Sequence, residues 1–346
     1  MTSRRLLHPQ AVGRKKATPP ESREGFGRLS FAGRFRTIRR MSTALPFERT
    51  DDGIVLLSLI PNPAKPRGGV VVLDAWLIGE LIAFFDQLAK GPAPTGFVLR
   101  SASERVFVAG ADLAEIDALD DAGLDAYLKR GTEAFGRIPK LPCASVAAIN
   151  SSALGGGLEI AMHCDALIGV ATGPTEKPYR FGLPECGLAI CPGWGGTQML
   201  PARFEAAGLD PGAAIRATAT GETWKSTEIP SGLLAATVPQ PGDLREAAIA
   251  WLRANPRRSG ATSSRAHPTA IDLAGDSGAA NRIRAGLEAA RSTIPPTTAA
   301  AAVVDAVEVG LRDGWTKAVD AERRHLIRLR HTPEARAKLE AFFAKA

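Results

Sequence analysis

An α/β fold with a helical C-terminal region is predicted for this chain, on three observations. Short apolar runs bounded by Pro, Gly and Asn alternate with segments whose apolar residues recur at helical spacing. A glycine triplet follows closely on one of those runs, where a strand would turn into a helix. From residue 299 onward the sequence is helix-forming and carries its own start signals.

The elements follow in chain order. Ile54–Leu59 and Gly96–Arg100 are short and apolar enough to be buried strands. Between them Leu77, Leu81, Phe84 and Leu88 form one apolar stripe at steps of four, three and four, and Pro92 lies just beyond its end. Asp112 is placed to cap a helix over Leu113–Ala118. Cys143–Ile149 is a third strand, running into Gly155-Gly156-Gly157. After the triplet, Leu158 and Met162, and Ile160 and Cys164, are each four apart, so the glycines open a helix.

Residues 254–298 change character, with Pro, Ser, Thr, Gly and Arg scattered among short apolar pieces; they read as a loosely ordered connection with one helix near Asn281–Arg291. Helices are expected over Ala299–Leu311 and Trp315–Leu329. Thr332-Pro333-Glu334 supplies a cap, an N1 proline and a first-turn acid for a last helix ending near Phe343. The expected organisation is a basic arm (1–40), a core (41–253), the connection (254–298) and the helical region (299–346).

Charge is concentrated in the arm. Eleven of the 43 Lys and Arg, against two of the 36 acids, fall in residues 1–40, and the remaining 32 basic and 34 acidic residues nearly cancel. The arm lacks a sustained apolar stretch and reads as disordered. Three accounts of it stand: an upstream start, with the native chain beginning at Met41; a transit-like peptide; or a tail for a polyanionic partner. The first is preferred, and nucleic acid is not the expected partner of the body.

No stretch approaches the roughly 18 uninterrupted apolar residues of a membrane helix, and the arm has no secretory apolar segment. Cys143, Cys164, Cys186 and Cys191 form no CxxC pair and have no His cluster beside them, so buried reduced thiols and a cytoplasmic location are expected, without a metal.

The chemistry concentrates around the triplet. Bare backbone lets a carbonyl approach a peptide N–H closely, and a helix start offers unpaired N–H groups with partial positive charge. Glu159 lies in the first turn of that helix, and Glu185 follows Pro184 in a loop 26 residues later. One carboxylate near a developing oxyanion, with a second to share its protons, is equipment for acid/base catalysis. His163, four residues after Glu159, reads as a core histidine, and Trp194 as packing.

Several segments, in order, resemble the crotonase (enoyl-CoA hydratase/isomerase) superfamily. They are Val106-Phe107-Val108-Ala109-Gly110-Ala111-Asp112-Leu113, Pro142 to Asn150 leading into Leu154-Gly155-Gly156-Gly157-Leu158-Glu159, Cys164-Asp165, Phe181-Gly182-Leu183-Pro184-Glu185, and Pro192-Gly193-Trp194-Gly195-Gly196-Thr197-Gln198. The likeness runs from about Met41 to Val238 and is closest in flavour to the hydratase/isomerase portion of the fatty-acid oxidation complex α-subunits. Those continue into a dinucleotide-binding dehydrogenase; this chain has no GxGxxG after a strand, and a single activity is expected.

The resemblance implies a spiral of ββα repeats followed by C-terminal helices, assembled as a homotrimer or hexamer, acting on acyl-CoA with no cofactor beyond the CoA of the substrate. It implies an oxyanion hole from the backbone N–H of Ala111 and Gly156, each donor worth on the order of 3 kcal/mol in the transition state. It implies catalysis by Glu159 and Glu185, with Glu185 the main proton carrier and Glu159 the water holder, and substrate contacts from Ala109, Ala111, Asp112, Leu113, Ala114 and Gly156. The expected reaction is hydration of a 2-enoyl-CoA. Isomerases and thioester hydrolases of the superfamily use the same hole and stand as alternatives; a non-enzymatic polyanion binder using the arm is a more distant one.

Three departures bear on the pocket. The 15 residues Ala166–Arg180 are more than the family commonly has there, so Gly173-Pro174-Thr175-Glu176-Lys177 reads as an inserted loop near it. Ala189 stands at a usual glycine position and Met199 at a frequent arginine.

Overall fold

A computed structural model describes residues 43–172, 176–256, 274–275 and 277–344. The basic arm, residues 257–273 and 276 of the predicted connection, and the tip of the predicted insertion lie outside them.

The chain enters through β1 (Phe47–Arg49), which turns back antiparallel onto β2 (Ile54–Leu59). Then follow α1 (Ala75–Leu88), β3 (Gly96–Ser101), α2 (Leu113–Ala118), α3 (Asp121–Phe135), β4 (Ala144–Ile149), β5 (Ala153–Leu154), α4 (Gly156–Met162) and β6 (Ala166–Val170). After β7 (Arg180–Gly182) come a 3-10 turn (Glu185–Leu188), α5 (Gly196–Ala206), α6 (Pro211–Thr220), β8 (Thr223–Lys225), β9 (Ala236–Val238) and α7 (Leu244–Ala254). The remaining helices are α8 (Gly278–Ala290), α9 (Thr298–Asp313), α10 (Trp315–Leu329) and α11 (Pro333–Phe343).

Strands β1-β2-β3-β4-β6-β9 form one sheet, parallel except at the β1 edge; β5-β7-β8 form a second, smaller one. The predicted strands stand within a residue of their expected ends. Strand periodicity divides the main sheet's two faces. Val55, Leu57, Phe97, Leu99, Ala147 and Ile149 face the main core, where α1 buries Leu77, Leu81, Phe84 and Leu88. Leu56, Val98, Val146 and Ile168 face the other way, onto Leu244, Ala248, Ile249 and Leu252 of α7.

Side-chain caps start the helices where the sequence places them. Asp112 accepts from the N–H of Ala114 and Glu115 at the start of α2, and Thr332 from Ala335 N at the start of α11. In the predicted connection the described helix, α8, begins three residues earlier than expected and is capped by Ser277. No helix among the described residues is long and apolar enough to cross a membrane.

Candidate active site

Parallel β-bridges bring the two predicted backbone segments side by side. Val108 pairs with Ala153, and Leu73 with Ala111. Leu73 N donates to Gly110 O (2.8 Å) and Asp112 N to Leu73 O (3.3 Å), so the intervening N–H of Ala111 points away from that bridge. The neighbouring Gly155 sits at φ 53°, where a side chain would be strained, and turns the chain into α4. Gly156 is the first residue of that helix, so its N–H has no intrahelical partner. Neither the Ala111 nor the Gly156 N–H has a partner among the described residues.

Both residues line one cavity of about 300 Å³, together with Ala109, Asp112, Leu113, Ala114, Glu159 and Glu185. All eight residues singled out in the sequence therefore meet at one place. Apolar walls come from Ile116, Leu128, Leu188, Ile190 and Leu326, and α11 lays Phe342, 44% exposed, and Phe343 against its edge. Trp194 lines the cavity as well as packing: its indole N–H donates to Leu128 O (2.9 Å) and its ring meets Phe135 edge-on. His163 is buried, as expected, with Phe135 and Trp315 around it.

The first turn of α5 determines what the carboxylates do. Gly195, at φ 99°, precedes the helix, leaving a run of N–H groups at its start. Oε1 of Glu159 accepts from Trp194 N (2.9 Å) and Gly196 N (2.8 Å). The alternate donors go to a residue the sequence reading missed: Glu322, on α10, accepts from Gly195 N (2.6 Å), Thr197 N (2.9 Å) and the Thr197 hydroxyl.

The expected carboxylate pair is thus a trio. Burial raises Glu159 well above the usual carboxylate range, the charges of Glu322 and Glu185 add to this, and the N–H groups of Trp194 and Gly196 oppose it. Burial pushes Glu185 up to about 8, its own backbone N–H opposing and Glu322 reinforcing the rise. Glu322 is raised to about 7 by burial against its three donors. Oε2 of Glu185 is shut off from solvent without a hydrogen-bond partner. A group in that state gains by holding a proton at neutral pH and can release it to an acceptor in the cavity.

Surrounding contacts hold the two glutamate-bearing elements. The guanidinium of Arg203, on α5, donates to the carbonyls of Met162 (2.8 Å) and Cys164 at the end of α4. Met199, one turn earlier, is fully buried as an apolar core residue. Ala189 ends the 3-10 turn of Glu185 in the left-handed region (φ 58°), at a cost of about 1 kcal/mol for a residue with a Cβ. That conformation explains why glycine suits this position.

One expectation is corrected. Glu176 and Lys177 of the predicted insertion line a separate depression with Asn150, Tyr179 and Gln240, and not the cavity of the glutamates. β6 carries the intervening chain away along the main sheet before β7 returns it to Pro184-Glu185. Gly173, Pro174 and Thr175 lie outside the described residues.

The chain is similar to known proteins over most of its length. The fatty acid oxidation complex subunit alpha of Aliivibrio fischeri is 31% identical over 307 residues, which cover 88% of this chain and 42% of that one. The subunit from Shewanella halifaxensis is 31% identical over 316 residues, 88% and 41% of the two chains. The chain thus spans about two fifths of the length of these curated relatives. Among solved structures, an enoyl-CoA hydratase from Bacillus anthracis superposes with a TM-score of 0.51 at 25% identity, covering 87% of this chain and 96% of that one. Human mitochondrial delta3-delta2-enoyl-CoA isomerase shares the fold with a TM-score of 0.58 at 20% identity, over 87% and 97%. The sequence model of the enoyl-CoA hydratase/isomerase family matches residues 70–269, more than half of the sequence, and the chain belongs to that family.

Proposed function

We propose that this chain is an enoyl-CoA hydratase, adding water to a 2-enoyl-CoA to give a 3-hydroxyacyl-CoA. The observation that carries this reading is the meeting of two unpaired backbone N–H groups and two buried carboxylates in one cavity. The thioester oxygen lies between the N–H groups of Ala111 and Gly156, the latter at the positive end of α4. Water is held between Glu159 and Glu185. Its oxygen bonds to C3 as its proton passes to a carboxylate, and the C2=C3 electron pair moves onto the carbonyl oxygen as an enolate. Collapse of the enolate takes a proton at C2 from Glu185, whose raised affinity for a proton suits it to that delivery near neutrality.

Isomerisation is a second reading, favoured by one contact. Oε1 of Glu159 already accepts two N–H groups, so only Oε2 is left for water, whereas a proton shuttle needs Glu185 alone. Purified wild type, Glu159→Gln and Glu185→Gln, assayed on 2-enoyl and 3-enoyl thioesters across chain lengths, separate the readings. Hydration requires turnover of the 2-enoyl substrates and its loss by about 10²-fold or more in both variants. Turnover of 3-enoyl substrates alone, retained in Glu159→Gln, makes the protein an isomerase.

A further inference from the structure

We infer that Glu322 is a positioning residue for the proposed reaction: by clamping the Trp194–Thr197 turn it sets the place and the charge of the glutamate that holds water. The inference rests on the hydratase reading for the reaction affected, and on geometry for the clamp. Glu322 is fully buried on α10, 125 residues or more along the chain from the donors it binds. The four successive N–H groups of Trp194, Gly195, Gly196 and Thr197 are shared alternately between Glu159 and Glu322. Neither carboxylate can shift without releasing a donor on the same turn. The turn has little freedom otherwise, since a Cβ on Gly195 would stand 2.2 Å from the Trp315 ring.

No cation pairs with Glu322 among the described residues. Its neighbour Arg323 turns instead to Asp125 on α3 and Asp320. The groups around the Glu322 carboxylate are Glu159 on α4, Glu185 on the 3-10 turn and the Cys191 thiol, which donates to the Glu322 carbonyl. His163 meets the Trp315 ring, which lies beside Gly195 of the turn, and the Phe135 ring, which packs on Trp194. A buried carboxylate held by dipoles alone, next to two more, keeps a like charge close to the pair that moves protons.

The test is Glu322→Gln, a neutral side chain of the same size, measured two ways. With 2-enoyl-CoA, kcat falls at least about tenfold while KM stays within about threefold, because the water and not the thioester is misplaced. In the substrate-free protein labelled with carboxyl-13C glutamate, the titrations assigned to Glu159 and Glu185 move to lower pH. A folded variant with wild-type kcat and unmoved titrations overturns the inference, as does one whose kcat and KM worsen together with titrations unmoved. If wild type turns over no acyl thioester but the titrations move, the reaction reading fails and the clamp stands. If the variant does not fold, Thr197→Val, which removes one donor and leaves the carboxylate, takes its place; unchanged kcat there overturns the inference.

Discussion

Replacing Glu185 by Gln is expected to stabilise the protein while removing its activity, and the size of the gain depends on pH. In the unfolded chain the carboxyl titrates near 4.5; in the fold, burial pushes it to about 8. Below pH 4.5 both states hold the proton and the group contributes no difference. Between 4.5 and 8 the folded state must keep a proton the unfolded state has released. Stability is therefore lost as pH rises through that window and is level above it. At about 1.4 kcal/mol per pH unit the cost at pH 7 is roughly 3 kcal/mol. Glutamine carries no such cost. With an unfolding entropy on the order of 0.6 kcal/mol/K for a body of this size, Tm of the variant should exceed wild type by about 5 °C at pH 7 and by little at pH 4.5. Calorimetric Tm measured for both proteins from pH 4.5 to 8.5 decides it. Parallel curves across that range would refute the reasoning, since Glu185 would then ionise in the fold as freely as in water.

Gly156→Ala puts a Cβ 2.5 Å from Cζ3 of Trp194 and 3.1 Å from Cδ1 of Leu73, so the first turn of α4 must move. A displaced donor should lower kcat about 10²- to 10³-fold, and undiminished turnover would show that this N–H is not used. Phe342, exposed at the cavity edge, should matter for long acyl chains only: Phe342→Ala is expected to raise KM for a long-chain enoyl-CoA several-fold, by roughly the 2 kcal/mol or less of a partly buried ring, and to leave crotonyl-CoA unaffected. Equal effects on both would place the acyl tail elsewhere. All four cysteines are buried, and burial pushes the Cys186 thiol up to about 12. Native protein should therefore leave a thiol reagent unconsumed at pH 8 and react fully once unfolded; fast labelling of the native form would contradict the packing around Glu185.

Legibility followed local signal. The strands at Ile54 and Gly96, the stripe of α1, the caps at Asp112 and Thr332 and the glycine start of α4 are each written in a few consecutive residues, and each stands where the pattern put it. β5, β7 and β8 were not legible: they are two or three residues long and exist through pairing with distant chain. The eight predicted residues of the cavity were legible because their motifs are contiguous, whereas walls such as Leu128 and Leu326 come from distant helices that carry no such motif. Glu322 was not, because its partners lie far back in the sequence. Its signal was present all the same: Ala318, Glu322, Leu326 and Leu329 recur at steps of four, four and three, and a carboxylate inside an apolar stripe must be paired or protonated in the core.

The central claim, that Glu159 and Glu185 add water to an enoyl thioester in this cavity, is tested most directly by the fate of the water oxygen. Wild type is incubated with a 2-enoyl-CoA in 18O-enriched water and the acyl product is examined by mass spectrometry. Formation of a 3-hydroxyacyl-CoA carrying one 18O at C3, abolished in Glu159→Gln and Glu185→Gln, is the predicted result. Recovery of unlabelled thioester from folded wild type, with 3-enoyl-CoA converted to 2-enoyl-CoA in the same solution, would contradict it.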